Sequence, residues 1–418
     1  MLNKSISAGK SYNAERKKTL IIDPSRGSGV QFTFKPSTLS KINPQAKKNE
    51  DKIFMRDLSL LSEFIDLNYE NAIVYFLTYD KKYLKSDEPA KMFKRFRKTN
   101  SIANQILEIP QLEHRPGELL SILVHSLAYQ PEVEQLSKLE QNIQLISSSA
   151  VFACQIINKY FGRDQVEPNP EISHIENILY MVGKDHQDEQ LVKYISKLML
   201  AWTDLGLAPS AVPMRADAAV ETDIYTALSG GIGNMTGKAH TSARIDVVNQ
   251  FFEYIQFLKD NRLDFPLKKK ERTEVKKLLC GLIQKKLSQG ERIKGFGHWF
   301  FRGLDKKGFD PRIQLVVDAI NKVYPDNVYL ELVEILREIF AEGDLRKKDK
   351  IFQLPPNSDL YWAAFLMEFY LDYEQPEKIA KAAPTLNLLS RIPGLIAQYR
   401  EQEGQSIRMR FWYNSSIA

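Results

Sequence analysis

Along most of this chain, apolar residues recur at steps of three and four. In ARIDVVNQFFEYIQFLKD they fall at Ile245, Val248, Phe251, Phe252, Ile255 and Leu258, one face of an amphipathic helix. RTEVKKLLCGLIQKKL, PRIQLVVDAINKVY, VYLELVEILREIF and LYWAAFLMEFYL carry the same period. Breakers at Gly290, Gly308, Pro325 and Pro355–Pro356 separate these segments. Period-two alternation is scarce. TLIID (Thr19 to Asp23) and VQFTF (Val30 to Phe34) are the fair strand candidates. The pattern predicts a mainly α fold without a solenoid repeat. Residues 1–50 are polar, with Pro, Gly and Ser, and read as a tail and irregular entry holding short strands.

Composition adds limits. A chain of 418 residues that is 43% hydrophobic and 26% charged suits a soluble globular enzyme with a large core and more than one domain. No apolar run approaches the roughly 18 residues of a transmembrane helix, so no membrane partner is expected. MLNKSISAGKSYNAERKK lacks the apolar centre of a secretory signal and reads as a disordered tail, although its Ser, Lys and Arg also suit a mitochondrial presequence. Cys154 and Cys280 lie in apolar surroundings, VFACQII and KLLCGLI. They read as buried thiols of a reducing compartment, and a cytoplasmic location is expected. No Cys or His spacing suggests a metal. The net charge of +6, from 58 basic and 52 acidic residues, suits an anionic substrate. Nucleic-acid binding needs a basic stripe with interleaved aromatics. The best cluster, KMFKRFRK (Lys91 to Lys98), reads as a solvated helix face, so no nucleic acid is expected.

Three turns carry candidate chemistry. GGIGNMTGKAHTSAR (Gly230 to Arg244) resembles a phosphate loop only superficially. Ile232 stands where that loop needs glycine, and Ala239 where it needs Ser or Thr. It reads better as a helix end and a glycine turn presenting His240. GFGH presents His298 in the same manner. His114, His125, His174 and His186 lie in ordinary contexts and read as surface or satisfied core histidines. In PPNSDLYW, Asp359 enters a helix, either as an N-cap or as a base. One carboxylate base and two histidine donors suit proton abstraction next to a carbonyl.

In order, GKAH, GFGH, DPR (Asp310 to Arg312), PNSD (Pro356 to Asp359), SRIPG (Ser390 to Gly394) and RMRFWY (Arg408 to Tyr413) resemble the motifs of the citrate synthase superfamily. SAVPMRADAAVETDIYTALSGGIG, ENILYMVGK and the block from MRDLSLLSEF to LVHSLAY resemble its upstream helices, so the similarity runs from about residue 52 onward. The resemblance implies a two-domain helical fold. Residues 51–239 and 362–418 would form a large domain, and 240–361 a smaller mobile one. It implies that Asp359 takes the methyl proton of acetyl-CoA and that His240 stabilises the enol. His298 would bind and protonate the ketone of oxaloacetate or a related 2-oxo acid. Arg312, Arg391 and Arg408 would clamp carboxylates. Arg408 would reach into a neighbouring subunit, implying a homodimer with a shared site. Gly295, Phe296 and Gly297 would lie against the adenine of CoA, and Lys294 near a CoA phosphate or in solvent. Acetyl-CoA would be the co-substrate, with no permanent cofactor and no metal.

The chain departs from that pattern. In TDLGLAPS (Thr203 to Ser210), Asp204 and Ser210 remain, but Leu205 stands where synthases carry a histidine. Trp299 follows His298, an insertion lies around GLDKKG, and Thr241-Ser242 follow His240 where glycines are common. These changes point to a less polar or bulkier oxo acid. Two alternatives to condensation follow: citryl-CoA cleavage by the same groups in reverse, and a catalytically weakened paralogue kept as a binding or assembly partner.

Overall fold

The computed structural model describes residues 19–21, 29–33, 37–42, 53–109, 115–237, 240, 243–297, 310–342, 345–347, 350–405 and 408–412. The fold is predominantly α-helical. The periodic segments form helices at Ala243–Asp260, Arg272–Ser288, Ile313–Val323, Val328–Ala341 and Ser358–Phe369, ending at or before the breakers read from the sequence. The two strand candidates pair antiparallel as β1 (Thr19–Ile21) and β2 (Gly29–Thr33).

Other strands were not foreseen. β3 (Ser40–Ile42), β4 (Ile53–Met55) and β5 (Leu58–Ser59) form a small antiparallel sheet. The start of the MRDLSLLSEF block, assigned above to helices, is therefore a hairpin. Arg56 adopts φ 57° at its turn, and its backbone N–H donates to Leu39. Ile53 and Met55 point into the core, the period-two pattern of a half-buried strand too short to register along the sequence. β6 (Arg346–Lys347) pairs with β7 (Lys350–Ile351), and β8 (Arg408–Trp412) adds to β2.

Seven helices frame the site: α1 (Glu189–Ala201), α2 (Ala211–Ala219), α3 (Ile224–Met235), α4 (Ala243–Asp260), α5 (Ile313–Val323), α6 (Ser358–Phe369) and α7 (Pro384–Gln402). α7 is buried along nearly its whole length and packs against α1, α2 and α3, with the polar side chains of Arg391, Gln398 and Gln402 buried as well. The packing around it is close. A Cβ on Gly231 of α3 would stand 2.8 Å from the Met214 sulfur of α2, and a Cβ on Gly394 of α7 would stand 1.9 Å from the Thr203 carbonyl oxygen. Arg215 of α2 is fully buried. Its guanidinium donates to Gln398, Gln402 and Glu401, fastening α2 to α7 through a paired buried charge.

Three sequence expectations need correction. Arg97 of the basic run is not solvated: it is 5% exposed and donates to the carbonyls of Asn169 and Ile172, because Phe93 and Phe96 draw this segment into the core. Cys154 is buried, but Cys280 is only half-buried on the side of its helix. His174 is a core histidine stacked on Tyr69, yet its Nδ1 has no hydrogen-bond partner. His125 stacks on Tyr129, and His186 meets Tyr180 edge-on. His114 lies outside the described residues.

Candidate active site

Asn357, rather than Asp359, caps α6: its side-chain oxygen accepts from the Asp359 N–H at 3.0 Å. The Asp359 carboxylate, on the first turn of the helix, is thereby left for other work. The PPN segment is also zipped to the glycine turn before His298. The Gly297 N–H donates to Pro355 (2.7 Å), the Asn357 N–H to Gly295 (2.9 Å), and the Asn357 side-chain amide to Gly297 (3.0 Å). Gly295 and Gly297 take φ of 82° and 70°, which β-carbon-bearing residues avoid. Two motifs sixty residues apart in sequence thus form one rigid unit. His298 itself lies outside the described residues.

His240 occupies the turn between α3 and α4. Its N–H donates to Gly237, and its carbonyl accepts from Ala243. Gly230, Gly231 and Gly233 belong to α3 and Gly237 to the turn, so the segment is a helix end and a glycine turn, as expected. Lys238, Ala239, Thr241 and Ser242 lie outside the described residues. The imidazole Nε2 lies 3.0 Å from the buried Ser210 hydroxyl, just before α2. Burial, reinforced by the Arg391 charge, pushes the His240 pKa down to about 4, so the ring is neutral at pH 7. A histidine that titrates at 6.5 when unfolded then binds its proton earlier in the unfolded chain as pH falls. Its contribution to stability is complete above pH 6.5 and is lost as pH falls from 6.5 through 4. Buried His174, also shifted down by burial, adds in the same direction. Urea melts across this window should show the wild type weakening with acid and His240→Gln weakening less. Parallel curves would contradict the shift at His240.

Two buried arginines, Arg391 and Arg244, act on this imidazole, and a third, Arg312, lies within electrostatic reach of both. Arg391 of α7 has Nη1 at 3.4 and 3.3 Å from the carbonyls of Trp202 and Thr203, while its Nη2 has no partner. Arg312, just before α5, is held fork to fork by its own neighbour. Asp310 accepts from Nε (3.0 Å) and Nη2 (2.9 Å), and also from the Arg312 N–H. Arg244 was not singled out by sequence reasoning. It begins α4, is 3% exposed, and donates from Nε to Asp359 Oδ1 at 2.8 Å. Its position four residues after His240 on a helix start was the available signal. Two indoles at right angles, Trp202 and Trp362, underlie these cations: Arg312 lies 4.5 Å above Trp202 and Arg244 4.9 Å above Trp362.

Leu205 is half-buried against the core. Beside it, buried Asp204 accepts from Gln398, Gly206 and Ser40, so it ties the turn to α7 and β3. Lys294 is neither free nor fully solvated: its amine pairs with Asp246 at 2.7 Å. Phe296 stacks on Phe340 with 3.7 Å between ring centres, which fixes the glycine turn to the core. Arg408 opens β8 opposite Thr33, and its side chain lies outside the described set. Among the described residues, no group of three His, Cys, Asp or Glu side chains is arranged to hold a metal ion, and no helix is long and apolar enough to cross a membrane.

An imidazole, a carboxylate and buried arginines thus meet in one region, and a known family covers all of them. The family description "Citrate synthase, C-terminal domain" matches residues 33–410. The chain belongs to the citrate synthase family. A citrate synthase of Haloferax volcanii is 23% identical over 320 residues, 73% of this chain and 74% of that relative. Citrate synthase 1 of Mycobacterium tuberculosis is 24% identical over 307 residues, 70% of this chain and 64% of that one. A 2-methylcitrate synthase of the same organism is 23% identical over 241 residues, 58% and 52% of the two chains. The chain therefore spans between about half and three quarters of these relatives. Among solved structures, the citrate synthase of Pyrobaculum aerophilum superposes with TM-score 0.68 at 16% identity, covering 94% and 93% of the chains. That of Thermoplasma acidophilum, described as a ternary complex with carboxymethyl coenzyme A and oxalateacetate, gives 0.66 at 16%, covering 88% and 90%. At that identity the likeness establishes the helical architecture of citrate synthases. Membership of the family supports an enzyme of Claisen-type acyl-CoA and 2-oxo acid chemistry.

Proposed function

We propose that this family member condenses acetyl-CoA, or a related acyl-CoA, with oxaloacetate or a related 2-oxo acid, releasing CoA. The observation that carries the reading is the meeting of a partly exposed carboxylate, Asp359, with a neutral imidazole, His240, among buried guanidiniums. Asp359 removes a proton from the carbon next to the thioester. A Ser210 hydroxyl that donates to His240 Nε2 leaves Nδ1–H to stabilise the enol oxygen. The enol carbon then attacks the ketone of the oxo acid, whose oxygen takes a proton from His298. Water cleaves the resulting thioester. Arg391 holds a substrate carboxylate, the glycine turn at 295–297 receives the adenine, and Lys294 lies on the CoA path. Residues 240–361 act as a smaller domain that closes over both substrates and excludes water. Arg408 of a second copy completes the site in a homodimer.

The deciding experiment is thiol release across a small matrix of acyl-CoAs and 2-oxo acids, run beside thioester cleavage of citryl-CoA. CoA release from at least one acyl-CoA and oxo acid pair is expected. Cleavage of citryl-CoA without any condensation would reverse the assigned direction. Inactivity in both assays would leave the weakened paralogue as the better reading.

A further inference from the structure

Arg312 is poorly placed to bind a substrate carboxylate, because Asp310 already takes its Nε–Nη2 edge and the Ala201 carbonyl lies 3.4 Å from Nη1. Two other arginines of the site carry a buried N–H with no partner: Nη2 of Arg391 and Nη1 of Arg244. A buried guanidinium N–H left unpaired is costly unless a ligand supplies the acceptor. Both cations act on the same imidazole, and both lie within electrostatic reach of Arg312, so they bound one small volume beside His240. Arg244 is fixed there on two sides. Nε is held by Asp359 at 2.8 Å, and the guanidinium lies over the Trp362 ring. With Nε so occupied, the remaining edge of the planar fork is oriented before any ligand arrives.

We propose that Arg244 is a specificity-determining residue of this site, binding a carboxylate of a dicarboxylic 2-oxo acid through Nη1, with Arg391 as its counterpart. The proposal rests on the condensation reading for the identity of the ligand. The Arg244 guanidinium bridges the bound carboxylate and Asp359. The acceptor is thereby placed at a fixed offset from the group that deprotonates the acyl-CoA. A donor supplied from the start of α4 also fits a site in which position 205 is leucine and offers no hydrogen bond.

The test compares wild type, Arg244→Lys and Arg244→Met. Lys keeps a charge to pair with Asp359 but lacks the second donor edge, and Met keeps bulk alone. Oxaloacetate and the monocarboxylate pyruvate are titrated calorimetrically into each protein, and each is assayed as acceptor with acetyl-CoA. Loss of one charged hydrogen bond should weaken oxaloacetate binding and raise its KM by about 10- to 100-fold in Arg244→Lys, and by more in Arg244→Met. Pyruvate affinity and the KM for acetyl-CoA should change by less than about threefold, since neither uses the second edge. Oxaloacetate affinity unchanged in Arg244→Lys overturns the proposal, as does a wild type that binds no dicarboxylate. A uniform fall in kcat for every acceptor with binding intact assigns Arg244 to Asp359 alone and also overturns it. If oxaloacetate binding depends on Arg244 but no CoA is released, the proposal stands and the condensation reading fails.

Discussion

Asp359→Asn should fold normally and lose about 10²- to 10⁴-fold in kcat, the range typical of removing a general base. The amide is nearly isosteric, and its side-chain oxygen still accepts from Arg244 Nε at the position where the carboxylate now does. Asn357 also still caps α6, so the helix start does not depend on the side chain at 359. The substitution therefore removes basicity while leaving the scaffold in place. The oxo acid should still bind, because its proposed ligands are guanidiniums rather than the carboxylate. Steady-state CoA release and calorimetric titration separate the two effects. Activity within a few-fold of wild type would remove Asp359 from the chemistry and with it the proposed mechanism.

Gly394→Ala should cost about 3 kcal/mol or more of stability, at or above the top of the usual range for overpacking. The added Cβ would lie 1.9 Å from the Thr203 carbonyl oxygen and 3.3 Å from the Asp204 Cα. The first obstacle is backbone, so no rotamer change relieves it, and α7 must move away from the 203–204 turn. Arg391 sits on the same helix, one turn earlier, with Nη1 aimed at the carbonyls of Trp202 and Thr203. The same displacement should therefore weaken oxo acid binding as well as shift the urea midpoint. A variant with an unchanged midpoint would mean that α7 and this turn yield more easily than their packing suggests.

The helices and two of the three chemical turns were legible because their signals are local. A 3.6-residue period identifies α4 from its own eighteen residues, and PNSD announces a helix start within four. What escaped notice depends on distance along the chain. Arg244 and Asp359 are 115 positions apart, and only the packing of α4 against α6 joins them. Arg97 looks like part of a solvated run until the loop carrying Asn169 and Ile172 is folded over it. The pairing within Asp310-Pro311-Arg312 was readable in principle, since an Asp accepting the N–H two residues on is a common turn device. Its consequence, that the Nε–Nη2 edge of Arg312 is already taken, was not.

The crossed indoles under Arg312 and Arg244 carry a practical consequence. The chain has four tryptophans, and two of them, Trp202 and Trp362, each lie about 5 Å or less from a guanidinium of the site. Indole emission responds to a nearby positive charge, and an arriving carboxylate alters the field that these cations exert. The site thus contains its own optical probe, and occupancy is open to readout in the unmodified protein without a coupled assay.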